Sequence, residues 1–204
     1  MSLSKQDEFL IKEYETAVEL TNHIDELRNK MTSFYMIFAG AALAGIIILL
    51  KGEAKETLSG NIYSVVSVFL TVISFIGIFV VLGLARIRGV QIEHFRIITN
   101  IRKKFLGDNY KLWNAVQLSG KTLPKPNRLS GSYMWLLMVI STSSCLFSIA
   151  VYLLSLKIFL NAVSLGIFAG GLGFVLFSLF LDFLYFKFSI PRSEEIYSET
   201  NPPA

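Results

Sequence analysis

Two histidines, one cysteine and one carboxylate set within an apolar block are the side chains of this sequence with the most obvious chemical potential. A zinc site needs three or four ligands, and beyond His23 and His94 only Glu19, Glu26 and Glu93 lie close by in sequence, so no metal is expected. Cys145 stands alone inside an apolar run, which leaves neither an intrachain disulfide nor a thiolate cluster. Asp182 falls two residues before the last apolar block ends. Proton relays place carboxylates near the membrane midplane, so Asp182 is expected to hold structure by pairing with Lys187 or a basic residue nearby. No Ser/His/Asp, H-E-x-x-H, P-loop or paired-carboxylate pattern occurs. The sequence thus predicts no enzyme, no cofactor and no small-molecule substrate.

Three other patterns are chemically suggestive. Ser64, Ser67, Thr71 and Ser74 share one helix face, with Gly77 extending it, and Ser141, Ser144 and Ser148 repeat the motif in shorter form. Hydroxyl groups at this spacing either bond across a helix seam or wall a water-filled pore, and both readings stay open. Gly40 and Ala44, and the GxxxG pair Gly166 and Gly170, predict close helix packing within or between subunits. Arg96, Arg102, Lys103, Lys104 and Trp113 belong to a basic stretch that could meet anionic headgroups or an acidic partner protein. Direct nucleic-acid binding is not expected, because only Phe105, Tyr110 and Trp113 could stack bases there.

The elements that must position these residues follow from hydropathy. With 53% hydrophobic and 17% charged residues, the chain departs from soluble composition, and its apolar residues are gathered into four blocks, about 31–50, 62–84, 133–154 and 162–184. A helix needs roughly 20 residues at ~1.5 Å each to cross a hydrocarbon core, so each block is long enough to span. No cleaved leader is expected, because the first thirty residues are charged rather than apolar.

Lys and Arg between the blocks fall sixteen on one side and three on the other. By the positive-inside rule the termini and the long middle segment are cytoplasmic, while the short segments 51–61 and 155–161 face outward.

Two cytoplasmic stretches read as helices. In 6–30, Leu10, Ala17, Ile24 and Met31 recur every seven residues, with Leu20 and Leu27 three residues after two of them. No breaker precedes the first span, so this helix should enter the membrane uninterrupted. The second stretch, 85–105, places Phe95, Ile98, Ile101 and Phe105 on roughly one face before the stop Gly107-Asp108-Asn109. The first thirty residues carry net charge −3 and the second stretch +5. One helix running in and one running out, with opposite charge, predicts an antiparallel hairpin standing in the cytoplasm.

The acidic helix ending His23-Ile24-Asp25-Glu26-Leu27-Arg28-Asn29-Lys30, running into a small-residue span and followed by a basic helix through 97–105, resembles the small multi-span membrane proteins that accompany bacterial anti-phage defence operons. The likeness covers residues 6–106. It implies an inner-membrane component that either permeabilises the membrane on infection or docks a soluble effector beneath it. The sequence departs from that pattern in lacking a ligand-sensing domain.

Together these observations predict an all-α protein: a four-helix transmembrane bundle with a cytoplasmic antiparallel hairpin extending spans 1 and 2. Its expected divisions are a cytoplasmic helix (1–30), spans 1 and 2 (31–84), a basic helix and loop (85–132), spans 3 and 4 (133–184) and a cytoplasmic tail (185–204). The expected role is a homo-oligomeric inner-membrane anchor or sensor for a soluble cytoplasmic partner. A pore is the alternative and a small transporter the weaker one.

Overall fold

The computed structural model describes residues 5–51, 62–106, 131–158 and 163–189. They form four helices: α1 (Lys5–Lys51), α2 (Ile62–Leu106), α3 (Gly131–Ile158) and α4 (Val163–Ser189). No strand occurs among the described residues. All four helices are long and apolar enough to cross a membrane. In lipid the backbone must satisfy its own hydrogen bonds, which is why each apolar block is one unbroken helix.

α1 and α2 run far past the apolar blocks, as the absence of proline predicts. At the start of α1, Asp7 and Glu8 place negative charge against the positive end of the helix dipole. At its other end the described part of α2 reaches Leu106, and the expected stop at Gly107-Asp108-Asn109 lies outside the described residues.

α2 is the central helix and packs against the other three; α3 and α4 pack closely on each other, and α1 leans on α2 and more lightly on α3. The core has two parts. Toward the end where α1 enters, Tyr35, Val81, Leu84, Leu136, Val139, Phe177 and Leu181 interlock. Toward the opposite end, Ala39, Ile46, Val66, Leu70, Ile73 and Leu146 do the same. Phe147 of α3 stacks on Phe177 of α4 with centroids 4.6 Å apart.

The extramembrane halves of α1 and α2 dock antiparallel. Arg102 donates to the Tyr14 hydroxyl at 2.8 Å and lies over the same ring, while Gln91 reaches Asp25 at 3.0 Å. The heptad stripe of α1 is only half used by this docking. Ala17, Thr21 and Ile24 are buried against α2, but Leu20 and Leu27 face outward. A single partner helix covers one side of an a/d stripe, and the second side stays uncovered.

Candidate functional site

Where α1 and α2 leave the apolar blocks, a polar chain links them. Asp25 and Arg28 sit one turn apart on α1 and pair at 3.1 Å. Arg88 and Gln91 sit one turn apart on α2, with the Arg88 guanidinium donating to the Gln91 carbonyl oxygen at 2.8 Å. The Gln91 amide then donates to Asp25 Oδ1, closing the link between the helices. Burial holds the Arg88 guanidinium below the usual arginine value, an effect opposed by nearby Tyr185 and strengthened by Arg28. Arg28, Arg88 and Gln91 border a small cleft completed by Leu84, Ile87, Leu136 and Tyr185, with room for about one water molecule.

At the same end, the Tyr133 hydroxyl of α3 donates to Asp182 Oδ1 of α4 at 2.8 Å. The expected pairing of Asp182 with Lys187 or a basic residue of the hairpin is not what the structure shows here: the partner is a tyrosine on the neighbouring helix. Lys187 lies over the rings of Phe183 and Phe188. At this level, where the helices leave the apolar zone, polar contacts tie α1 to α2 and α3 to α4.

The hydroxyl-bearing face of α2 is turned into the protomer. Ser67 is buried and donates to the Ala150 carbonyl of α3 at 2.7 Å. Ser74 is fully buried and Thr71 half-buried, and each donates to its own helix, at the Leu70 and Ser67 carbonyls. Ser64 is half-buried at the far end. On α3, Ser148 donates to the Gly170 carbonyl of α4, Ser144 is fully buried with its hydroxyl unbonded, and Ser141 is half-buried. The neighbouring Ser143 joins Tyr35 of α1 at 2.7 Å, beside Gly77 of α2, where an added Cβ would fall on Ser143 Oγ. Three helices converge at that point because Gly77 has no side chain.

The small residues divide by role. Gly166 and Gly170 are buried against α3, with Tyr152 and Ser148 about as close as a Cβ could tolerate, at 3.1 Å. Gly40 and Ala44 face outward, and nothing lies within 4 Å of a Cβ built on Gly40. Of the basic candidates, Arg102 is engaged with Tyr14, Arg96 is half-buried and Lys104 is exposed. The Lys103 side chain and Trp113 lie outside the described residues. His23 is exposed and His94 half-buried, and no group of three possible metal ligands occurs among the described residues.

Residues 11–160, spanning the first three helices, match the model of the octameric membrane protein family, 8xMP. The chain belongs to the 8xMP family. Neither the curated proteins nor the solved structures include a match. Membership together with four membrane-length helices makes this 8xMP protein an oligomeric, multi-pass membrane protein.

The polar chain at Asp25, Arg28, Arg88 and Gln91 is the feature that sequence reasoning did not assemble. Its signal was present: two polar pairs, each at i,i+3, on two helices already expected to be antiparallel. Bringing them together required the register between the helices, which only their packing fixes.

Proposed function

We propose that this 8xMP protein is an octameric inner-membrane anchor with both termini cytoplasmic, that its hairpin is a platform for a soluble cytoplasmic partner, and that the pair serves anti-phage defence by binding rather than catalysis. The observation that carries this reading is the unbroken continuation of α1 and α2 beyond the membrane as a docked pair. Residues 5–30 alone would reach roughly 40 Å at ~1.5 Å per residue. A rod joined rigidly to its spans by a polar chain is suited to hold a partner at fixed distance and angle. Its far end offers Lys5, Gln6, Phe9, Leu10 and Lys104 around an open hollow, a surface with both apolar and basic character.

The variant Phe9→Glu, at the exposed rim of this hollow, tests this. The expected result is that a soluble protein co-purifying with the wild type is lost while the membrane oligomer survives. Retention of that protein at full stoichiometry would remove the hairpin tip from the account.

The second reading is a pore that permeabilises or depolarises the membrane, and eight copies around an axis would favour it. The polar face of α2 is a poor candidate for its wall, because Ser67 and Ser74 are buried by packing within the protomer. A conducting path would run instead between copies.

A further inference from the structure

Positive charge that is partly buried at the edge of a membrane needs an anion nearby, and two such charges meet in one cleft at the base of the hairpin. Arg28 of α1 and Arg88 of α2 both line it, with Leu84, Ile87 and Leu136 as apolar walls and Tyr185 of α4 beside them. Among the described residues its lining holds two guanidinium groups and no carboxylate. Asp25 pairs with Arg28 from outside that lining, and its side chain is 44% exposed against 15% for Arg28. A carboxylate so well solvated offsets only part of two positive charges. Burial disfavours the charge on Arg88, and nearby Arg28 adds to the effect. Arginine keeps its proton even so, and each guanidinium carries five N–H donors, more than its contact to Asp25 or Gln91 uses.

The depth of the cleft decides which anion is at hand. Arg28 precedes the first apolar block by three residues and Arg88 follows the second by four, which puts both roughly 4–6 Å outside the hydrocarbon at ~1.5 Å per residue. Lipid headgroups occupy that depth, and tyrosine is at home there. Arg96 and Arg102 lie roughly 12 and 21 Å farther out along α2, more than the ~8 Å over which salt screens a charge.

We propose that this cleft is a site for the phosphate of an anionic membrane lipid, held by the guanidinium groups of Arg28 and Arg88. The enclosed part admits one oxygen-sized atom, and the space out to its mouth comes to about 260 Å³. One non-bridging oxygen enters between the walls, and the rest of the phosphodiester stays at the mouth. Guanidinium suits this ligand because its paired N–H groups match phosphate oxygens. A positive lining also repels the cationic head of a zwitterionic lipid, so phosphatidylglycerol is preferred to phosphatidylcholine. A lipid held there bridges α1 and α2 at the level of the Asp25–Gln91 contact. The site requires residence in a membrane, and neither a soluble partner nor a pore.

The test is a titration of the full-length protein in mild detergent with phosphatidylglycerol, phosphatidylcholine or inorganic phosphate, read by native mass spectrometry and by the thermal unfolding midpoint. The expected result is that phosphatidylglycerol is retained and raises the midpoint, while the other two at equal concentration do neither. Arg28→Gln and Arg88→Gln should each lower its retention about fivefold. Lys12→Gln, at an exposed position sixteen residues away on α1, should leave it unchanged. Arg88→Gln also removes a donor to Gln91, so Arg88→Lys, which keeps the charge without the planar fork, is measured beside it and should retain an intermediate amount. Equal retention of the two lipids by the wild type would overturn the proposal, as would a preference for phosphatidylglycerol that survives both glutamine variants. A midpoint raised as much by inorganic phosphate as by phosphatidylglycerol would overturn the lipid source in favour of a free anion.

Discussion

Asp25 and Gln91, 66 residues apart in the chain, meet at 3.0 Å where α1 and α2 leave the apolar zone. The contact is more than a local bond, since Gln91 also accepts from Arg88 and Asp25 also pairs with Arg28. One amide thus satisfies a carboxylate and a half-buried guanidinium on two helices, and it fixes the level at which the hairpin joins the membrane bundle.

Gln91→Leu is expected to be costly, because it leaves the polar groups of Asp25 and Arg88 without this partner. The loss should be about 1–3 kcal/mol, read as a lowered unfolding midpoint in detergent. Glu26→Gln, which removes an exposed ion pair with Lys30, should leave the midpoint essentially unchanged. Equal effects from the two variants would deny the Asp25–Gln91 link its role.

Gly77→Ala puts a methyl group on Ser143 Oγ, at the point where Tyr35, Gly77 and Ser143 converge. Overpacking of this kind costs about 1–3 kcal/mol, so extraction yield and thermal stability should both fall. Gly40→Ala has open space and removes a glycine from a helix interior, so the protomer should be unchanged or slightly stabilised. Measuring the two side by side separates a packing effect from a general intolerance of substitution.

Ser67→Ala removes the bond to the Ala150 carbonyl, which joins α2 to α3. Cross-helix bonds in membranes average about 0.6 kcal/mol, so the loss should be small and confined to stability. If Ser67 and Thr71 walled a pore, Ser67→Ala and Thr71→Leu would alter ion flux in proteoliposomes. Unchanged flux with slightly lowered stability is the expected result.

Much of this architecture is legible in the sequence because two signals are strong. Apolar blocks of membrane length define four spans, and the absence of proline through residues 5–51 and 62–106 carries α1 and α2 past the bilayer. The partner of each polar residue is less legible. Ser67 and Ser74 share a face by spacing, yet spacing cannot say whether that face meets water or α3; packing decides, and it buries them. Leu20 and Leu27 read as part of one stripe with Ala17 and Ile24, but a single facing helix covers only one side of it. Asp25, Arg28, Arg88 and Gln91 converge only once the helices have a register.

A reporter active only outside the cytoplasm, fused after Ala204, should be silent if the sixteen-to-three division of Lys and Arg orients the chain. The same reporter inserted in the segment between α1 and α2 should be active. The reverse pattern would put the hairpin outside and remove its access to any cytoplasmic protein.

The most direct test of the platform account is native mass spectrometry of the protein, extracted in mild detergent from cells that express it with its neighbouring genes. The account predicts an eight-copy membrane assembly carrying a soluble protein in fixed ratio. An eight-copy assembly that emerges alone and conducts ions when reconstituted would contradict the platform and establish the pore in its place.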